Sequence, residues 1–238
     1  MFPLKDDNPT QIRPIVTIIL IILCVGIFFF QLSLTDLQNY NIIRHYGMTP
    51  INILSNNNSF FVFTIFSSMF LHGGFMHLIG NMLFLWIYGN NIEDSMGHFK
   101  FFFFYITCGT AAAFLQALVS PNSDVPMIGA SGAVSGVLSA YLLLYPKARV
   151  STLVFIFFFI TVLRIPAGIL IIIWFFTQII NAGLTDPNSP GVAWFAHIGG
   201  FCMGAFLIPF FKKRNVKFFS SGAKYNNPKK TVRIRFRK

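Results

Sequence analysis

The sequence predicts an all-α polytopic membrane protein, a bundle of six transmembrane helices, and three observations predict it. Of the 238 residues, 55% are hydrophobic and 11% charged, against about 25% charged in a soluble domain. The apolar residues collect in runs that are nearly unbroken over 14–30, 99–119 and 193–211, and about 20 such residues cross the roughly 30 Å hydrocarbon layer as a helix. The basic residues outside the C-terminal tail fall, with one exception, on one side of the bundle those runs define.

In chain order, the first span covers 15–32, and no small-residue cleavage site follows it, so a cleaved signal peptide is not expected. A long loop over 33–72 carries the apolar stretch "FFVFTIFSSMFL" near its end. The second span covers 74–89, the third 99–119, the fourth 131–145, the fifth 167–183 and the sixth 192–211. The segment "VSTLVFIFFFITVL", 150–163, is too short to cross. Lys147 and Arg149 precede it and Arg164 follows, so it reads as an interfacial or re-entrant element with both ends on one side. This arrangement gathers Lys5, Arg13, Lys100, Lys147, Arg149 and Arg164 on one face and leaves Arg44 alone on the other. Basic residues favour the cytoplasmic side, so both termini are expected there.

The chain then divides into a cytoplasmic N-terminus (1–14), a membrane domain (15–211) and a basic tail (212–238). The tail holds 11 of the 18 basic residues and no acid, while the other 7 basic residues balance the 7 acidic ones. Such a tail is expected to stay solvated and to favour anionic lipid headgroups. Nothing beyond its charge suggests nucleic acid. Cys24, Cys108 and Cys202 lie in apolar runs without CxxC spacing and read as buried small hydrophobes.

Polar groups inside spans are costly and point to function. The second span carries "HGGFMHLIGN", with His77 and Asn81 four apart on one helix face and His72 about one and a half turns earlier. The fourth span opens with Ser131 and the sixth with "AHIGG", which contains His197. All three spans start on the outer side, so these groups can converge. At 15 residues the fourth span is about 22 Å long, which places Ser131 below the outer interface, at the floor of a polar cavity reached by the loop "SPNSDVPMIGA". A duller reading is available for each feature. "GASGAVSG" (129–136) and "GGFCMG" (199–204) also suit close helix packing, and an intramembrane histidine also serves as a structural hydrogen-bonding group. His72 and His77 are poorly spaced to share a metal ion, and no intramembrane carboxylate or HExxH supports one. Asp6, Asp7, Asp36, Glu93, Asp94, Asp124 and Asp186 all fall in predicted loops or the N-terminus, which disfavours a proton-coupled transporter and a Ser-His-Asp triad. A serine–histidine dyad is left.

"HGGFMHLIGNM", "GASGAVSG" and "AHIGGF", in this order, resemble the rhomboid intramembrane serine proteases in their six-span bacterial form, over about 45–207. The resemblance implies Ser131 as nucleophile and His197 as general base, with His77 and Asn81 helping to form the oxyanion hole. It implies structural support from His72, Gly129, Gly132, Gly200 and Gly204, and no cofactor or metal. The implied partners are transmembrane protein substrates, cut in or near a spanning segment after a small residue, and the implied setting is a bacterial plasma or inner membrane. Two features depart from some relatives: Ser135 stands where they carry a tyrosine stacked on the histidine, and a Trp-Arg pair in the first loop is not evident. A catalytically silent, client-binding relative and a small transporter using the second-span histidines are the competing readings.

Overall fold

A computed structural model describes residues 2–55, 59–156 and 159–220. Strand β1 (Phe2–Asp6) precedes helix α1 (Ile15–Leu32), which coincides with the first expected span. The loop that follows holds α2 (Asp36–Tyr46), α3 (Pro50–Ser55) and α4 (Ser59–Ser67). The second span is one helical rod formed by α5 (Phe75–Phe84), a π-helical turn (Leu85–Gly89) and α6 (Asn90–Met96). Helices α7 (His98–Val119), α8 (Ser131–Leu144), α9 (Ala167–Leu184) and α10 (Trp194–Phe211) match the remaining four spans.

By length and composition, α1, α7, α9 and α10 are each able to cross a membrane, and a fifth span is counted if the bent pair Phe60–Phe70 and Phe75–Met96 acts as one. Helix α8 is too short for that test, and its burial explains why: 11 of its 14 residues are buried. It is an interior helix wrapped by its neighbours, so little of its length faces lipid. Its small residues permit this. A methyl group at Gly200 would collide with the Gly132 carbonyl, and one at Gly204 with the Gly136 carbonyl and Ser139 Oγ. On the opposite side, methyl groups at Gly132 and Gly136 would lie 2.5 Å from Ala112 Cβ and Cys108 Cβ of α7. Glycines four apart on both helices thus bring α8 and α10 into backbone contact.

Where it is described, the segment 150–163 is β-strand. It forms most of a hairpin, β2 (Arg149–Ile156) and β3 (Phe159–Pro166), to which β1 adds as the outer strand in an antiparallel sheet of order β1-β2-β3. Cα pairs run from Phe2↔Leu153 to Asp6↔Val150, and from Arg149↔Pro166 to Ile156↔Phe159. Valine, isoleucine, threonine and phenylalanine dominate the segment, and such residues suit a pleated surface. The sheet adds a β element to an otherwise helical architecture and ties residues ahead of 14 to the region after α8.

Two acids, Glu93 expected in a loop and Asp6 in the N-terminus, are buried instead. Glu93 lies in α6, is 0% exposed, and accepts hydrogen bonds from the amides of Val16 and Thr17 (2.9 and 2.8 Å) and from Thr17 Oγ1 (2.7 Å). It therefore caps the unsatisfied N–H groups and positive dipole end of α1, and His98 Nδ1 lies 2.5 Å from its Oε1, the oxygen that also accepts from Val16. Asp6 accepts from Tyr141 Oη at 2.7 Å and Asn91 Nδ2 at 2.9 Å, anchoring β1 to α8 and α6. The stretch after α10 is largely exposed, as expected, but backbone hydrogen bonds tie it to the bundle. Phe219 and Ser220 donate their amides to the Leu143 and Leu144 carbonyls at the end of α8 (2.8 and 2.9 Å), and the Lys213 amide donates to Ser95 O. The rest of the basic tail, from 221, lies outside the described residues. Cys24 and Cys108 are buried as expected, but Cys202 is exposed on the outer face of α10.

Burial pushes the Asp6 carboxyl up from 3.8 to about 6, against the lowering effect of its bonds with Tyr141 and Asn8. The folded state then holds this proton more tightly than the unfolded chain, so stability is lost as pH rises from below the unfolded value through about 6. Denaturant unfolding in micelles is expected to show a gain on acidification through that window. Asp6→Asn should abolish this dependence and raise stability at neutral pH.

Candidate functional site

The starts of α5, α8 and α10 meet around one cavity of about 980 Å³. His77 and Asn81, Gly129 and Ser131, and His197 all line it. His72, the remaining polar residue of the second-span motif, does not.

Helix α5 begins after Gly74, so His77 falls in its first turn and Asn81 one turn later. The Gly73 amide points at His77 Nδ1, 3.4 Å away, which leaves the ring proton on Nε2. Asn81 is 6% exposed and donates one amide proton to the His77 carbonyl at 3.0 Å. Both side chains border Gly129: a methyl group there would lie 2.5 Å from His77 Nε2 and 3.7 Å from Asn81 Nδ2. Gly129 has φ +116°, which L side chains rarely adopt, and its amide donates to the Ser68 carbonyl at 2.8 Å. Two N–H donors thus converge on the turn just before Ser131.

Ser131 is the first residue of α8 and half-buried. The loop that delivers it is pinned by Met48 and Met127, which exchange amide–carbonyl bonds of 3.0 and 2.7 Å. His197 sits in the first turn of α10 and is 8% exposed. The two helix starts are adjacent, since a methyl group at Gly132 would lie 3.7 Å from the Ala196 carbonyl oxygen. Ser131 and His197 each neighbour one member of that pair and border the same cavity, and no hydrogen bond joins them among the described residues. Ser135 donates to the Ser131 carbonyl at 2.6 Å, as a packing residue within α8. The aromatic neighbours of His197 come from elsewhere: Trp174 of α9, with ring centroids 5.8 Å apart and planes at 35°, and Trp194, at 6.1 Å and 88°.

His72 is buried behind His77, with the rings 5.1 Å apart edge to face. Gln31 of α1 holds its backbone, accepting from the His72 amide at 3.1 Å and donating to its carbonyl at 3.2 Å. Among the described residues, no three His, Cys, Asp or Glu side chains are placed to share a metal ion. Gln31 and Gln178, whose Oε1 lies 2.7 Å from His197 Nδ1, are residues the sequence reading passed over. Their signal was an uncharged amide in an otherwise apolar span, the same kind of signal that drew attention to Asn81.

A hydroxyl at a helix N-terminus, an imidazole beside it and two N–H donors at one turn form a set suited to acyl transfer. The family model of the rhomboid domain matches residues 60–214. RHOMBOID-like protein 5 of Arabidopsis thaliana is 29% identical over 150 residues, covering 60% of this chain and 42% of that protein. Rhomboid protein 1, mitochondrial, of Saccharomyces cerevisiae is 30% identical over 150 residues, covering 59% of this chain and 39% of that one. RHOMBOID-like protein 4 of Arabidopsis thaliana is 34% identical over 146 residues, covering 61% and 33%. The chain therefore spans well under half the length of these relatives.

Gly129→Ala tests the turn. Its positive φ and the contact with His77 predict a loss of about 1–3 kcal/mol in denaturant unfolding, with a displaced His77 imidazole resonance. Unchanged stability and an unmoved resonance would contradict the geometry.

Proposed function

The chain belongs to the rhomboid family, and we propose that it is an intramembrane serine endopeptidase in which Ser131 and His197 act as a catalytic dyad. The observation that carries this reading is the shared cavity, which Ser131, His197, His77 and Asn81 line together from three separate helix starts.

In this mechanism His197 accepts the Ser131 hydroxyl proton as Oγ attacks a substrate carbonyl. The tetrahedral oxyanion is met by His77 Nε2–H, the Asn81 amide and the Ser131 backbone N–H, with the positive end of the α8 dipole behind them. Collapse expels the amine, which takes the proton back from His197, and leaves an acyl-enzyme. Water then attacks the ester, with His197 again taking and returning a proton, and Ser131 is restored. Neither step calls for a cofactor or metal.

The substrates are membrane-anchored proteins cut in or near a transmembrane segment after a small residue. A helical peptide bond is shielded by its own hydrogen bonds, so the segment must unwind first, and glycine or proline within it lowers that cost. The loop between α9 and α10 borders the cavity through Thr185, Asp186 and Pro190 and is tethered by Ser120 Oγ, which donates to the Pro187 carbonyl at 3.0 Å. It acts as a cap over the site. The positive-inside pattern puts both termini on the cytoplasmic face, in a bacterial plasma or inner membrane, with the basic tail against anionic headgroups.

Reconstitution in liposomes with a single-span substrate tests the proposal. Cleavage by wild type and its loss in Ser131→Ala and His197→Ala are expected. Asn81→Ala, which removes one oxyanion donor, should cost on the order of 3 kcal/mol of transition-state stabilisation and leave measurable turnover. Cleavage that persists in Ser131→Ala would overturn the assignment, and a wild type as inert as Ser131→Ala would favour a silent, client-binding protein or a transporter.

A further inference from the structure

Gln178 is 4% exposed, on the buried stripe of α9 that also holds Ala167, Ile171 and Ala182. Its Nε2 donates to the Trp174 carbonyl at 2.8 Å and lies 3.0 Å from Thr177 Oγ1. A carbonyl only accepts, so this contact fixes which end of the amide is nitrogen. The oxygen, Oε1, is thereby turned toward His197 Nδ1, 2.7 Å away. A carbonyl-type oxygen at that distance is satisfied when Nδ1 carries the proton, and a neutral imidazole has one proton to place. Nε2 of His197 is left with its lone pair free.

We propose that Gln178 is a positioning residue that locks His197 in the Nδ1-protonated tautomer and holds its ring plane, so that Nε2 is ready to receive a proton. This rests on the reading of His197 as general base. The amide does the orienting work of the acid in a Ser-His-Asp triad without placing a charge in the low-dielectric interior, where an ionised carboxylate is costly. When His197 takes the Ser131 proton and becomes imidazolium, Nδ1–H stays on the ring and its bond to Oε1 becomes charge-assisted. Trp174, one turn before Gln178 on the same helix, lies 5.8 Å from the imidazole, within the range at which an aromatic ring attracts a cation. Helix α9 therefore sets the state of a residue on α10.

The full chain in liposomes tests this with Gln178→Leu, which keeps the bulk and removes the acceptor, and Gln178→Glu, which restores an acceptor. The leucine variant should lower kcat about 100-fold with KM nearly unchanged, as expected when a reacting group is misplaced, and the glutamate variant should recover most of that loss. Nitrogen-15 NMR of the labelled histidines should show His197 protonated on Nδ1 in wild type and a mixture of tautomers in Gln178→Leu. Unchanged kcat in the leucine variant, equal loss in both variants, or mixed tautomers in wild type would each overturn the role of Gln178. The two proposals fail separately. A wild type no more active than Ser131→Ala removes the protease reading, while the tautomer signal still decides the Gln178–His197 interaction.

Discussion

The backbone contact between α8 and α10 is the constraint on which the rest of the structure depends. Gly132 and Gly136 face Gly200 and Gly204 so closely that a single methyl group at Gly200 or Gly204 would strike the other helix's carbonyls. Lipid tails are as apolar as leucine, so helices in a membrane gain little by merely burying apolar surface and rely on close packing instead. That packing sets the register of the two helices. With Gly132 beside Ala196, Ser131 and His197 are brought to one level and onto one cavity wall. The packing reading and the chemical reading of "GASGAVSG" are thus two consequences of the same residues.

Polar groups in the bundle are segregated by role. At one end, His77, Asn81, Ser131 and His197 line a cavity. About 12 residues further along the second span, some 18 Å of helix at 1.5 Å per residue, Glu93 closes the start of α1. Near it, Asp6 of β1 bonds Tyr141 and Asn91, and Lys213 bonds Ser95. Glu93 and Asp6 consolidate the end away from the cavity, while Asn81, Ser131 and the two histidines serve the cavity at the other. The π-helical turn Leu85–Gly89 lies between the two groups and places Tyr88 edge to face against Tyr141, with ring centroids 4.9 Å apart.

What the sequence made legible follows from the range of each interaction. Spans are local patterns of length and hydropathy, so α1 and the starts of α8 and α9 fall where composition put them. Convergence of the polar groups at the starts of α5, α8 and α10 followed from counting crossings, because spans two, four and six must begin on one side. The hairpin at Arg149–Pro166 was missed because an apolar segment of 14 residues fits helix, strand or loop alike, and β1, its partner, lies more than 140 residues away in sequence. Glu93 looked like a loop residue because the π-helical turn and α6 extend the second span past Gly89. Gln178 was passed over because the partner that gives it meaning is on another helix. Cys202 looked buried because an apolar run does not say which face of a lipid-exposed helix turns outward.

Trapping the serine tests the proposed activation of Ser131 by His197 without any knowledge of the natural substrate. The protein in detergent or liposomes is treated with a fluorophosphonate, digested and read by mass spectrometry. One stoichiometric adduct on the peptide bearing Ser131 is expected, formed far more slowly in His197→Ala. Labelling spread over other serines, or an adduct on Ser131 that forms equally fast without His197, would contradict it.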